Sequence, residues 1–223
     1  MRALNTIGFN AFKFCTSLTK VGDLSSLITI GEMAFHETAL TQLGNLESLT
    51  TIRDRAFQGS QLAQLGDMAA LTEIGNRAFE GTPLTQLGNL SSLTTIGDLA
   101  FYHTPLTLLG EMSRLTKIGH GAIYKTPLTQ LGGLSSPTAV AFEGTQLAQD
   151  MPALSGDRAF EGTLLTQLGK TSLTNIGGRA FQNCTKLVFL SLPKELKTVG
   201  FDAFKNCPLR AITVGKGAAF DCY

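Results

Sequence analysis

The dipeptide Ala-Phe returns along this chain at a nearly constant interval, and that interval limits what the chain can fold into. The aromatic stands at Phe12, Phe35, Phe57, Phe79 and Phe101, gives way to Ile123 at the next step, and resumes at Phe142, Phe160, Phe181 and Phe204. Successive spacings are 23, 22, 22, 22, 22, 19, 18, 21 and 23 residues. The best-preserved unit reads L-T-x-I-G-x-x-A-F-x-G-T-x-L-T-x-L-G-x-L-x-S, running from Leu71 through Ala78, Phe79, Thr82, Leu84 and Leu87 to Leu90. Self-similarity at this period marks a repeat architecture. A unit so short cannot bury its own apolar side, so successive coils must stack, each giving the next a floor.

Within a unit the apolar residues fall three apart, as at Leu84, Leu87, Leu90, Leu93 and Ile96, a spacing that imitates one stripe of a helix. Two features oppose long helices. Gly88 and Gly97 interrupt the pattern, each costing about 1 kcal/mol in a helix interior. Thr fills many remaining positions, and its branched Cβ favours extended chain. The reading is therefore two short extended segments per coil, such as Leu84 to Leu87 and Leu93 to Ile96, with a helical or 3₁₀ turn around Asp98 to Tyr102 closing it. About nine coils of 18 to 23 residues are expected, forming a repeat solenoid of short parallel strands. At the spacing of parallel strands the body would be about 45 Å long. The Phe column becomes an internal spine, each buried ring contributing roughly 1.5 to 3 kcal/mol.

The segment FQNCTKLVFLSLPKELKTVGFDAFKNCPLRAITV, Phe181 to Val214, resembles BspA-like leucine-rich repeats, with their pattern L-x-x-I-G-x-x-A-F-x-x-C followed by a leucine-rich strand. The 22-residue units are similar to a shortened form. One residue fewer separates Phe79 from Leu84 than Phe181 from Leu187, and Thr replaces Cys three residues after Phe. The likeness runs from Leu4 to about Val214. It implies a curved leucine-rich-repeat solenoid of the kind found in bacterial surface antigens and protist proteins, working by binding proteins or matrix. It implies no catalytic residue.

The organisation expected along residues 1–223 is one solenoid, with regular coils over 1–123, degenerate coils over 124–176, family-like coils over 177–214 and a ragged tail over 215–223. In the degenerate part Pro137 stands where Leu belongs, and Val140 runs directly into Ala141 and Phe142. The unit QLAQDMPALSGDRAF has lost four residues relative to QLAQLGDMAALTEIGNRAF and places Asp150 at a Leu position. Such coils cannot stack in register without distortion, so Pro137 to Gly156 is expected to be the first internal target of proteolysis.

Composition removes several classes of function. Hydrophobic residues make up 43% of the chain and charged residues 16%, which excludes intrinsic disorder. Net charge is +1 and Lys and Arg form no cluster, so no nucleic-acid partner is expected. No apolar run approaches the length of a membrane span. The start, MRALNTIGFN, carries no recognisable secretion signal, and Leu4 to Phe12 already belong to the repeat, so the chain begins inside a structural unit. The place expected is the cell surface or the exterior if this is part of a longer chain, and the cytoplasm otherwise.

Residues that often carry chemistry have structural explanations here. Cys15, Cys184 and Cys207 lie three residues after a repeat Phe, where Thr38, Ser60, Thr82, Thr104, Thr126, Thr145 and Thr163 stand elsewhere. A position accepting Cys, Thr and Ser alike wants a small side chain, so buried thiols are expected, with Cys222 in the tail the reactive one. His36, His103 and His120 occupy different repeat positions and are not expected to converge on a metal. Arg77 with Glu80, and Arg158 with Glu161, are read as local ion pairs across the turn. The glycines are read as turn residues. The sequons Asn89-Leu90-Ser91 and Asn183-Cys184-Thr185 matter only in a secreted eukaryotic protein. No cofactor, metal or catalytic residue is indicated.

The function expected is a non-enzymatic scaffold for protein interaction or adhesion, binding a protein or extracellular-matrix partner through an extended strand face. Its candidate contacts are Gln42, Gln64, Gln86, Gln130, Gln149 and Gln167 in one column, with Asn45, Asp67, Asn89 and Glu111 three residues further on. Aromatic anchors look scarce on that face. A structural repeat segment of a larger cell-surface protein is the alternative. A remote alternative is an ice-binding array formed by Thr50, Thr72, Thr94 and Thr116.

Overall fold

A computed structural model describes residues 4–110, 112, 114–129, 158–168, 175–194 and 196–214. Six two-residue strands open it: β1 (Thr6–Ile7), β2 (Thr29–Ile30), β3 (Thr51–Ile52), β4 (Glu73–Ile74), β5 (Thr95–Ile96) and β6 (Lys117–Ile118). They pair in sequence order as one parallel sheet, in the register Ile7, Ile30, Ile52, Ile74, Ile96, Ile118. Each Ile is buried, while the residue before it stays at least partly in solvent, which is the alternation a two-residue strand on one wall of a solenoid requires. The later strands are β7 (Gln167–Leu168), β8 (Asn175–Ile176), β9 (Phe189–Leu192), β10 (Thr198–Val199) and β11 (Ala211–Val214). β8 pairs with β10, and β7, β9 and β11 form a second parallel ladder centred on β9. The two extended segments per coil expected from sequence are both present: the second is a line of single bridges, Lys20 to Gln42 and Gln64 to Gln86 to Leu108, that widens into strands in the last coils.

The Phe column is a continuous stack. Phe12, Phe35, Phe57, Phe79 and Phe101 follow one another with ring centroids 5.2 to 5.4 Å apart and planes within 9° of parallel. Phe160, Phe181 and Phe204 repeat that geometry. Between the two stacks sits Ile123, whose N–H donates to the carbonyl of Ala159 at 3.1 Å. In a regular step the same bond joins Phe101 to Ala122 and Phe79 to Ala100. At this column the coil of Ile123 therefore rests directly on the coil of Phe160. Pro137, Phe142, Asp150, the proteolysis expectation and Cys222 lie outside the described residues.

The helical turn expected after each Ile-Gly is not found: the described residues contain no helix. The chain instead bends twice through the left-handed region, two residues before the spine residue and two after it, as at Arg77 and Gly81 (φ 55° and 68°) and at Leu99 and His103 (φ 54° and 57°). The reason lies in where the amides point. The N–H groups of Arg77, Phe79 and Gly81 reach the next coil, at Asp98, Ala100 and Tyr102, while those of Glu80 and Thr82 close local turns onto Arg77 and Phe79. A helix would direct all of these amides along its own axis and leave the coil–coil contact without hydrogen bonds. Positive φ recurs after the spine at Gly59, Gly81 and Gly162 and at Asn183 and Asn206, residue types that tolerate it best.

The turn reading fails for a different set of glycines. Gly31, Gly75, Gly97 and Gly119 do not have positive φ; a Cβ on any of them would run into the backbone of the preceding coil, as at Gly97, where Asn76 N and Gly75 C would both lie 2.6 Å away. Their role is close approach of one coil to the next.

Candidate interaction face

Threonine performs two structural tasks before any surface is left for recognition. Thr38, Thr82, Thr104 and Thr126 are buried, and each hydroxyl donates to the carbonyl of the spine residue three positions back at 2.8 to 3.0 Å. Cys184 and Cys207 replace this bond with one to the preceding coil, Sγ to Phe160 O at 3.2 Å and to Phe181 O at 3.0 Å. A second row, Thr50, Thr72, Thr94 and Thr116, donates its hydroxyls to Ile28, Thr50, Thr72 and Thr94 carbonyls at 2.9 to 3.2 Å.

The cysteines differ in setting. Cys15 is exposed, Cys184 buried and Cys207 half-buried, all free thiols. The hydrogen bond with Cys207, together with burial, pushes the Cys184 thiol up, and the same hydrogen bond pulls Cys207 down. Alkylation of the native protein should therefore modify Cys15 and Cys207 before Cys184, and mass spectrometry of tryptic peptides reads the order. Labelling of Cys184 ahead of Cys207 would contradict this arrangement.

Polar residues after the Ile-Gly pair form a ladder along another side. Asp54 Oδ1 accepts the Asn76 N–H, Asn76 Oδ1 the Asp98 N–H and Asp98 Oδ1 the His120 N–H, each at 2.8 Å. They line a shallow groove with Arg55, Arg77 and Leu99. Sequence reasoning missed this ladder, although the recurring Asp or Asn one residue after the glycine column signals it. Arg77 meets Glu80 at 3.1 Å and Arg158 meets Glu161 at 3.4 Å, as expected, but across left-handed bends. Among the described residues no group of three His, Cys, Asp or Glu side chains is arranged to hold a metal ion.

The strand-side column contains Gln42, Gln64 and Gln86, all exposed, with side chains that make no hydrogen bond among the described residues. Backbone pairing adds members that the sequence search for Gln passed over: Lys20, Leu108 and, in the second ladder, Phe189 opposite Gln167. Leu108 is 39% and Phe189 58% exposed, so the column does carry apolar anchors. The constant 22-residue step from Gln86 was the signal for Leu108. Asn45, Asp67 and Asn89 are also exposed but are engaged: Asn45 Oδ1 accepts the Glu47 N–H and Asn89 Oδ1 the Ser91 N–H in local turns, and Asp67 Oδ1 accepts the Asn89 N–H of the next coil. Glu111, Gln130 and Gln149 lie outside the described residues.

A stack of coils with a constant interior and a varied strand side defines a repeat scaffold, here of the leucine-rich class. The chain belongs to the family of BspA-type leucine-rich repeat regions, which it matches in six copies over residues 2–107, 39–145 and 154–219. It is similar to the structure of a leucine-rich cell surface protein from Faecalibacterium prausnitzii A2-165, with 25% identity and a TM-score of 0.57 over 94% of this chain and 58% of that one. It is also similar in fold to the pneumococcal vaccine antigen PcpA, at 18% identity and a TM-score of 0.51, over 96% of this chain and 56% of that one. The chain thus spans little more than half the length of either. Comparison with curated proteins gave no match.

Proposed function

We propose that this chain is a non-enzymatic protein-interaction scaffold whose binding face is the strand-side column. The observation that carries this reading is the contrast between columns. Spine, Thr and Asx columns have their polar groups committed inside the molecule, whereas Gln42, Gln64 and Gln86 have exposed side chains with no internal partner, next to the exposed Leu108. A partner is a protein or matrix component, engaged by shape and amide hydrogen bonds, because a face of Gln and Leu has little charge with which to steer encounter. The commitment of the Thr50, Thr72, Thr94 and Thr116 hydroxyls to backbone carbonyls speaks against a water-ordering array. The similar F. prausnitzii structure is of a cell surface protein, which supports a place at the cell surface. The share of that longer structure covered by this chain favours, as second reading, a repeat segment of a larger surface protein.

The test uses a panel of purified matrix proteins immobilised for surface plasmon resonance. The combined variant Gln64→Ala, Gln86→Ala, Leu108→Ala should weaken binding about tenfold or more, with stability moved by less than about 0.5 kcal/mol per substitution. Asp67 is left intact because its carboxylate holds the Asn89 amide. Unchanged binding by that variant, with loss on reversing the charges of Arg77 and Glu80, would place recognition on the groove side. No binding to any member would favour the structural-segment reading.

A further inference from the structure

Each turn around the spine sets two outward positions side by side, one two residues before the spine residue and one just after it. Four coils that follow one another in the stack fill these positions unequally. The coils of Phe79 and Phe160 hold ion pairs, Arg77 with Glu80 and Arg158 with Glu161. Between them the coil of Phe101 holds Leu99 and Tyr102, and the coil of Ile123 holds Gly121 and Tyr124. A Cβ on Gly121 would stand 2.8 Å from Leu99 Cδ2 and 3.6 Å from the Tyr124 Cβ, so the missing side chain lets Leu99 lie beside Tyr124. Tyr102 and Tyr124 stack with ring centroids 5.5 Å apart and planes 11° from parallel. Leu99 and both rings stay partly in solvent. An aromatic island thus lies within the stack, bounded along its axis by two ion pairs.

The island is braced. Lys125 Nζ lies 5.4 Å from the Tyr124 centroid and 5.8 Å from that of Tyr102, and His103 meets Tyr102 edge-on at 4.2 Å. Both bracing residues have positive φ, 57° at His103 and 58° at Lys125, a conformation given to Gly81 and Gly162 in the flanking coils. Side chains kept where glycine is favoured mark a functional surface, and a Tyr pair held in one geometry is a pre-organised anchor for an interface. The ion pairs, by contrast, are only half used. Glu80 Oε2 accepts from Arg77 Nη1 at 3.1 Å and from Gln58 Nε2 at 3.0 Å, which leaves Glu80 Oε1 and Arg77 Nη2 without a hydrogen bond among the described residues. Because each pair cancels its own charge, a strongly acidic or basic partner would gain little from them, whereas a face carrying the same pairs can exchange with them.

We infer that this face docks on the same face of a second copy, the two solenoids lying side by side and running in the same direction about a two-fold axis parallel to the stack. That operation sets each coil opposite its own counterpart and exchanges the two outward positions. Arg77 then meets the partner's Glu80, Arg158 meets the partner's Glu161, and Leu99 meets the partner's Tyr102. Tyr124 lies over the partner's Gly121, which has no side chain to oppose it. The flank matches too, since the exposed Asp98 comes opposite the exposed imidazole of the partner's His103. A two-fold axis perpendicular to the stack would instead set Arg77 against the partner's Arg158 and Glu80 against the partner's Glu161, like charge on like charge. The contact is isologous, so it closes at two chains. It uses the turns and leaves Gln64, Gln86 and Leu108 uncovered, so its failure would not touch the scaffold reading.

Sedimentation velocity across the micromolar range should show the unmodified chain passing from its 23.7 kDa monomer to a dimer and no further. The double variant Tyr102→Gln, Tyr124→Gln should raise the dissociation constant about tenfold or more. The fold accepts Gln there because Gln58 and Gln182 hold that position in other coils. Charge exchange then tests the orientation. Arg77→Glu alone sets carboxylate against carboxylate and Glu80→Arg alone sets guanidinium against guanidinium, so each should weaken dimers, while an equimolar mixture of the two variants should recover them. Far-ultraviolet circular dichroism and melting curves equal to those of the unmodified chain check folding; if the tyrosine variant fails, Tyr102→His and Tyr124→His replace it, as His36 stands at that position. An unmodified chain that stays monomeric overturns the proposal, as do assemblies larger than two chains or dimers indifferent to the tyrosine substitutions. Tighter association of Arg77→Glu overturns it too, because that requires Arg77 to face the partner's Arg158.

Discussion

Replacing Phe79 by Ala is expected to lower the free energy of unfolding by about 3–5 kcal/mol. The ring is fully buried and stacked on both sides, 5.3 Å from Phe57 and 5.4 Å from Phe101, so its loss opens a cavity shared by three coils. Parallel offset rings add an attraction beyond their buried area, and both such contacts disappear together. In a solenoid each coil is held only by its neighbours, so a defect at the centre of the first stack weakens two interfaces at once. Urea titration followed by circular dichroism measures the change. Phe12→Ala is the comparison: that ring is 36% exposed and stacks on one side, and its loss should cost clearly less. Equal costs at the two positions would mean that the stack is not the source of the stability.

The second large effect is expected at Gly88. A Cβ there would collide with the Gly66 carbonyl oxygen and stand 2.7 Å from Gly66 C and 3.1 Å from Leu65 O, all backbone of the preceding coil. Gly22, Gly44, Gly66, Gly88 and Gly110 hold this position in five successive coils. Relief requires the coils to separate, so Gly88→Ala should cost about 1–3 kcal/mol, the range for overpacking a well-packed interior. Gly81→Ala separates crowding from backbone strain. Gly81 has φ 68° with nothing within 4 Å of the added methyl, leaving only the left-handed penalty of about 1–2 kcal/mol. If Gly88→Ala melted with the unmodified protein, the close approach at this column would be refuted.

Stacking was legible in the sequence because it is imposed at every coil by the same few residues. Phe79, Ile74, Leu84 and Leu93 each recur at the repeat interval, and all four are fully buried. The family likeness followed from the same residues. The exchange of Thr, Ser and Cys at Thr82 and its equivalents indicates only a small side chain; in the structure the hydroxyl also closes the turn on the Phe79 carbonyl, which explains Thr there in most coils. The candidate face was legible in part. Gln64 and Gln86 do pair side by side, but a search for repeated Gln passes over Leu108 and Phe189, which backbone register puts in the same line.

What the sequence alone determined is the period, the buried spine and the parallel stacking, since burial of large apolar groups at a fixed interval permits no other arrangement. What only the tertiary structure decided depends on where backbone amides point and which coils become neighbours. Alternate amides leave the coil to bond the next one, so the segment around Leu99 and His103 bends through positive φ where local pattern suggested a helix. Asp67, polar and exposed, holds the Asn89 amide of the next coil, an amide that lies within reach only once the coils are stacked, whereas Asn45 and Asn89 close local turns onto Glu47 and Ser91. The coil of Ile123 meets that of Phe160 for the same reason: an interface repeated at every step is satisfied by any coil that presents the matching edge, whatever its distance along the chain.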